Sequence, residues 1–303
     1  TVSGNTASNK TYDSNSVATV SVTLSGFVGS ETLTFTNSSS FNDKNVGTGK
    51  TVTVDSITLA DGTNGGLASN YSVIPGQTTT ANITAKALTI SGLTASSKTY
   101  DGSTSATLDT SSVLFSGLIS GDTFNGSYTG AFSNANVGTG KTVTITTSYT
   151  GADVNNYSVT NQSSTTADIS TKALTATASA SNKTYDATNS ATASLTLAGL
   201  VGSETLGSTN TSTFNNKNVG SNKTVTVNSI TLADGSNGGL AANYSISAGQ
   251  TTTANITAKS LTVSGITASN KAYDGNSVAS LNVSSVTYSG LVSGDTFNGT
   301  YTG

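Results

Sequence analysis

A four-residue phrase returns along this chain at fixed distance and leaves little freedom in how it folds. It reads Lys10-Thr11-Tyr12-Asp13, Lys98-Thr99-Tyr100-Asp101, Lys183-Thr184-Tyr185-Asp186 and Lys271-Ala272-Tyr273-Asp274, with its tyrosines 88, 85 and 88 residues apart. Self-similarity at such a period marks an array of small repeated units. The expected units are 1–86, 87–172 and 173–259, followed by a shorter fourth at 260–303. The simplest expectation is a window on a longer repetitive polypeptide, because the fourth unit stops at the counterpart of Gly130.

The units alternate. Gly29-Ser30-Glu31-Thr32-Leu33 and Gly202-Ser203-Glu204-Thr205-Leu206 follow the first and third phrases, whereas Gly121-Asp122-Thr123-Phe124-Asn125 and Gly294-Asp295-Thr296-Phe297-Asn298 follow the second and fourth. We call the two kinds A and B, in the order A-B-A-B.

Within a unit the apolar residues alternate with threonine and serine, as in Val20, Val22, Leu24 and in Val52, Val54. Period two is the mark of a half-buried strand. Glycine-rich turns at Asn45–Lys50 and Asp61–Gly66 separate the runs. About six short strands per unit are expected, one of them around Tyr71 and Val73, and no helix. The predicted class is all-β: tandem small antiparallel β-sandwich or β-grasp-like domains arranged end to end as a rod.

Two phase slips refine this. In type A the series Val52, Val54 continues as Ile57, Leu59, and Val225, Val227 as Ile230, Leu232, which predicts a β-bulge at Asp55-Ser56 and Asn228-Ser229. At the joins Ala81, Ile83 pass into Leu88, Ile90 with a change of parity, repeated near Lys172 and Lys259. A one-residue slip turns a strand over. The expectation is that one continuous strand serves successive cores, with successive units rotated about the rod.

The composition removes most chemistry. The chain has no histidine, cysteine, methionine, tryptophan or arginine, and only 9% of its residues are charged. Disulfides, thiolate and imidazole metal ligands, and nucleophiles that need a neighbouring histidine are excluded, so no catalytic residues are expected. A net charge of −3 without a basic stripe offers nothing to a nucleic-acid backbone, and no apolar run is long enough to span a membrane.

Several motifs invite a functional reading. Gly47-Thr48-Gly49-Lys50 resembles part of a phosphate loop, but Lys44 stands where that motif needs a glycine and no helix follows, so a hairpin turn is expected. Asp13, Asp101, Asp186 and Asp274 are the candidates for calcium, which takes about six to eight oxygens; no dense acidic cluster accompanies them. The plainer expectation has Asp13 accepting turn hydrogen bonds while Tyr12, Tyr100, Tyr185 and Tyr273 cover the edge of a thin core. A lysine–asparagine cross-link needs a buried carboxylate beside it, and the chain has only two glutamates, Glu31 and Glu204. The threonine row Thr142-Val143-Thr144-Ile145-Thr146 reads as the solvated face of a sheet.

Taken together, the Tyr-Asp phrase, the Gly-Asp-Thr-Phe or Gly-Ser-Glu-Thr-Leu loop, the Asn-Val-Gly-x-x-Lys turn, the Asn-Tyr-Ser segment and the Thr-Ala-Lys-Ala-Leu join resemble the YDG-type repeats of large bacterial surface and secreted adhesins. These include filamentous-haemagglutinin-like and biofilm-matrix adhesins exported by two-partner secretion. Type A departs from the name-giving motif at Ser14 and Ala187, where type B has Gly102 and Gly275. The resemblance implies an extracellular, β-rich stalk or fibre segment at a bacterial surface or in a secreted matrix. Its expected partners are neighbouring repeats of the same chain and other copies in a fibre. A multivalent array binding polysaccharide is the alternative reading.

Overall fold

The structure is a computed structural model describing residues 1–303. It contains strands, turns and three single-turn 3-10 segments, Ala68–Asn70, Val154–Asn156 and Ala241–Asn243. The chain divides into two compact units. The first comprises Thr1–Ser97, Thr104–Asn134 and Gly138–Asp168; the second comprises Lys98–Ser103, Ala135–Val137 and Ile169–Gly303. The division does not follow the sequence period. Two short pieces of the second repeat, its Tyr-Asp loop and its Asn-Val turn, belong to the second unit.

In the first unit, the first repeat pairs Val2–Ala7 with Val20–Leu24, antiparallel. A four-stranded sheet is ordered Lys10–Thr11, Thr78–Thr84, Gly47–Asp61, Leu33–Phe41. Period two puts Val52, Val54, Ala81, Ile83 and Phe41 on its buried face. The bulge falls where the phase slip put it: Ser38 pairs with Ser56 and Ser39 with Val54, leaving Asp55 as the extra residue. Asn228 is the extra residue in the third repeat. In the second repeat, Asn125–Phe132 pairs with Gly138–Thr150 without a shift.

One kind of parallel pairing, made three times, sets up everything below. Lys10 lies beside Ile83 and Thr11 beside Thr84, so the strand that opens a repeat lies beside the strand that closes it. The same pairing joins Lys98 to Ile169 and Lys183 to Ile256. The Tyr12 amide then donates to the Thr84 carbonyl at 2.9 Å. The first three Tyr-Asp phrases are therefore each pinned to the end of their own repeat from which the chain leaves for the next.

At that exit the strand breaks only at Ala85, between Thr78–Thr84 and Lys86–Ser91, and changes face as its parity predicted. Ala81 and Ile83 before the break and Leu88 and Ile90 after it belong to one buried cluster, with Tyr12, Phe124 and Tyr157. The first two repeats share a continuous core.

The expected strand around Tyr71 and Val73 is absent. Its counterpart Tyr157–Thr160 is a strand because it pairs in parallel with Lys86–Thr89, a pairing that Tyr71–Gln77 does not make. In the second unit Tyr244–Ser245 does pair with Lys172–Ala173.

In the second unit, the third repeat repeats this plan. Thr175–Ala180 pairs with Ala193–Ala198, and a five-stranded sheet runs Lys183–Thr184, Thr251–Thr257, Gly220–Asp234, Leu206–Phe214, Ser190–Ala191. Its core holds Phe214, Val225, Ala254 and Ile256.

Candidate functional site

The repeated phrase builds two things, a lysine cage on one side of the tyrosine and a repeat-to-repeat joint on the other. In the cage the Lys10 ammonium lies 2.7 Å from Asp13 Oδ1, 2.8 Å from the Asn15 carbonyl and 2.9 Å from the Val17 carbonyl. Lys98 meets Asp101 and the Ser103 carbonyl, Lys183 meets Asp186 and the Thr188 carbonyl, and Lys271 meets Asp274 and the Asn276 carbonyl, all at 2.8–2.9 Å. The four calcium candidates thus each have a cation from their own chain among the oxygens that a metal would use. No group of three or more acidic, histidine or cysteine side chains gathers anywhere to hold a metal ion.

Asp13 also accepts the Asn15 amide, the turn hydrogen bond expected of it. Burial raises its carboxyl, but the bonds from Lys10 and Asn15 outweigh burial and hold it below the usual range. Asp186, bonded to Lys183 and to Thr188, is lowered to about 2.

The residue after each aspartate lies in the left-handed region: Ser14 at φ 66°, Gly102 at 76°, Ala187 at 62° and Gly275 at 77°. The A and B turns are therefore alike in backbone despite their different residues. Ser14 and Ala187 carry a steric penalty of roughly 1–2 kcal/mol there, which glycine does not.

On its other side the tyrosine enters the following repeat. In the first unit Tyr12 is 1% exposed and packs edge-on against Tyr157, with ring centroids 5.6 Å apart. Its hydroxyl donates to Asp153 Oδ1 at 3.3 Å, while the Tyr157 hydroxyl donates to Asp122 Oδ2 at 2.6 Å and accepts the Ile119 amide. The Ser14 hydroxyl donates to Asp122 Oδ1 at 2.8 Å. From the neighbouring turn, Lys44 reaches Asp153 at 2.9 Å and Asp122 at 3.6 Å. The Val46 amide donates to Asn156 Oδ1 at 2.9 Å, and Asn156 is buried.

The same parts meet in the second unit with different chemistry. Tyr100 is 4% exposed and edge-on to Tyr244 at 5.4 Å. Both hydroxyls donate to one carboxylate, Tyr100 to Glu204 Oε1 at 2.6 Å and Tyr244 to Oε2 at 2.5 Å. The Tyr244 hydroxyl accepts the Val201 amide, and the Val137 amide donates to the buried Asn243 at 2.9 Å. A Cβ on Gly102 would come within 2.9 Å of Val201, so glycine is needed here for space as well as for backbone.

Electrostatics follow from these contacts. Burial and then the facing carboxylates push Tyr100 and Tyr157 each up to about 12. Asp153 is held below the carboxylate range by the Thr123 amide and then by Lys44. Burial raises Asp122, but the hydroxyls of Tyr157, Ser14 and Tyr12 outweigh it and leave it lowered. Lys44 is raised above the ordinary lysine value, first by Asp153.

The other two tyrosines show the same element without a full joint. Tyr185 donates to Asp295 Oδ1 at 3.3 Å and lines an open cavity of about 500 Å³, together with Val219, Leu291 and Phe297. Tyr273 is 98% exposed. At the other extreme Asn70 is exposed while its counterparts Asn156 and Asn243 are 2% and 1% exposed. Tyr71 donates to Glu31, as Tyr244 does to Glu204.

Sequence reasoning found the tyrosines and aspartates but not the receiving residues Glu204, Asp122, Asp153, Asn156, Asn243 and Lys44. The signal was present. The only two glutamates occupy equivalent positions opposite Asp122 and Asp295, and the Asn-Tyr pair recurs in every complete repeat.

The remaining motifs resolve plainly. Lys50 turns back to Asp43 at 2.6 Å within a hairpin, as expected of a turn, and Thr142, Thr144 and Thr146 are exposed beside buried Val143 and Ile145. No helix is long and apolar enough to cross a membrane. A family model described as YDG domain matches residues 1–81, 84–167 and 170–254. No curated protein and no solved structure matches the chain.

Proposed function

Because the chain belongs to the YDG domain family, we propose that it is a non-catalytic spacer: a stalk or fibre segment of an extracellular bacterial adhesin or matrix protein. One observation carries this reading. The most repeated element of the sequence is spent on joining repeats, with Tyr12 and Tyr100 buried against the tyrosine and acid of the repeat that follows. A motif whose side chains are consumed in this way has little left to offer a ligand. Repetition with nearest-neighbour joints is how extended arrays gain length and resistance to bending.

Small-angle scattering on the whole chain tests this. A compact body of this length has a radius of gyration of about 19 Å, whereas three and a half repeats of roughly 35 Å laid end to end give roughly 35 Å. The smaller value would remove the stalk reading and favour a clustered polysaccharide-binding array.

A further inference from the structure

The two complete joints differ in a correlated way. The incoming turn of type A carries lysine, Lys44 and Lys217, where type B carries Ala135. The receiving face of type B carries Asp153 where type A carries Leu67 and Leu240. In the first unit these variables meet as a pair: Lys44 lies 2.9 Å from Asp153, whose side chain is only 10% exposed. In the second unit the corresponding positions are Ala135 and Leu240, neither of them charged.

We propose that Lys44 and Asp153 form a selectivity lock that admits only a type A loop to a type B face, and so keeps two type B repeats from standing in succession. A type B loop offered to a type B face would bring Ala135 and Gly102 in place of Lys44 and Ser14. Asp122, with 1% of its side chain exposed, would then lose the Ser14 hydroxyl, and Asp153 would lose its cation. Two carboxylates would stand in one joint with no positive charge between them, and removing one partner of a largely buried pair costs far more than the pair contributes. The type A face makes no such demand, because it presents one carboxylate already bonded by two tyrosines and a leucine in place of the second acid. Selection against a wrong neighbour through an unpaired charge is a general way to achieve specificity. The inference concerns how repeats choose neighbours and stands whether or not the array serves as a stalk.

The test uses the full chain and site-resolved amide hydrogen exchange. The Val46 amide, donated to Asn156, reports the first joint; the Val137 amide, donated to Asn243, reports the second; the Val54 amide, donated to Gln77, reports the interior of the first repeat. Lys44→Ala gives the loop its type B residue and should speed exchange at Val46 by about tenfold or more, because Lys44 is partly exposed and the full penalty of burial is discounted. Val54 and Val137 should not change. Lys44→Arg should keep Val46 protected. Lys44→Ala combined with Asp153→Leu rebuilds the type A face at that position and should restore protection. Unchanged exchange at Val46 in Lys44→Ala overturns the proposal, as does failure of Asp153→Leu to restore it. Parallel loss at Val54 also overturns it, since Lys44 would then be holding its own repeat together.

Discussion

Replacing Tyr100 and Tyr273 by phenylalanine compares one motif residue in two settings. Tyr100→Phe leaves the ring against Tyr244 and removes one hydroxyl, which donates to Glu204 at 2.6 Å. A hydrogen bond to a charged group contributes about 1.5–3 kcal/mol. Glu204 keeps its bond from Tyr244, so the loss should fall near the lower end, about 1.5–2 kcal/mol. Read at the Val137 amide this is roughly a 10- to 30-fold faster exchange, at 1.4 kcal/mol per tenfold. Tyr100→Ala removes the ring as well and should cost about 3–5 kcal/mol, the usual range for deleting a buried aromatic. Tyr273→Phe should change nothing beyond about 0.5 kcal/mol, because that side chain is 98% exposed. Exchange is preferable to a single melting curve, since an array of coupled repeats need not unfold in one step. Equal sensitivity at Tyr100 and Tyr273 would refute the reasoning, for it would mean that the motif acts where it stands and not through the repeat that receives it.

Three further outcomes are expected. Ala187→Gly relieves a left-handed alanine and should stabilise the third repeat by about 1 kcal/mol, whereas Gly102→Ala should destabilise, because its methyl meets Val201; urea titration separates the two signs. The joints should weaken as pH rises: with Tyr100 and Tyr157 raised to about 12, the stability they confer is complete below about 10 and is lost between about 10 and 12, which exchange-independent probes such as tyrosine absorbance can follow. In acid the sign reverses. Asp122 and Asp153 are lowered, so their contribution is complete above about 4 and falls away as pH drops through their folded values, and the first joint should loosen below that point. A chelator should leave the thermal transition where it is, since Lys10, Lys98, Lys183 and Lys271 supply the positive charge in each aspartate loop; a fall in midpoint that added calcium reverses would show a metal in those loops.

How far the chain could be read in advance depended on whether a feature was local. The bulge at Asp55 shows as a broken alternation within one strand, and the face change at Ala85 shows as a change of parity, so both were legible. The turn at Asp13 was legible for the same reason: aspartate reaches its own backbone two residues on. Ser14 and Ala187 concealed a left-handed turn because neither residue type favours it; the flanking Lys-Asp cage imposes it. The joints were not legible because each side chain looks ordinary within its own repeat. Tyr12 reads as a core residue, and only the sheet pairing of Lys10 with Ile83 brings it to the exit, where Asp153 lies 141 positions away in sequence. The strand at Tyr157–Thr160 has the same origin, since its parallel partner Lys86–Thr89 lies about 70 positions away at the join from the preceding repeat.

The attachment of Tyr12 by its amide to the end of one repeat and by its ring to the start of the next also gives the array a direction in time. A chain delivered from its N-terminus closes each repeat's strands first and leaves its tyrosine waiting until the successor emerges. The successor's arrival then seals the predecessor, so maturation advances like a zip with one tooth always open.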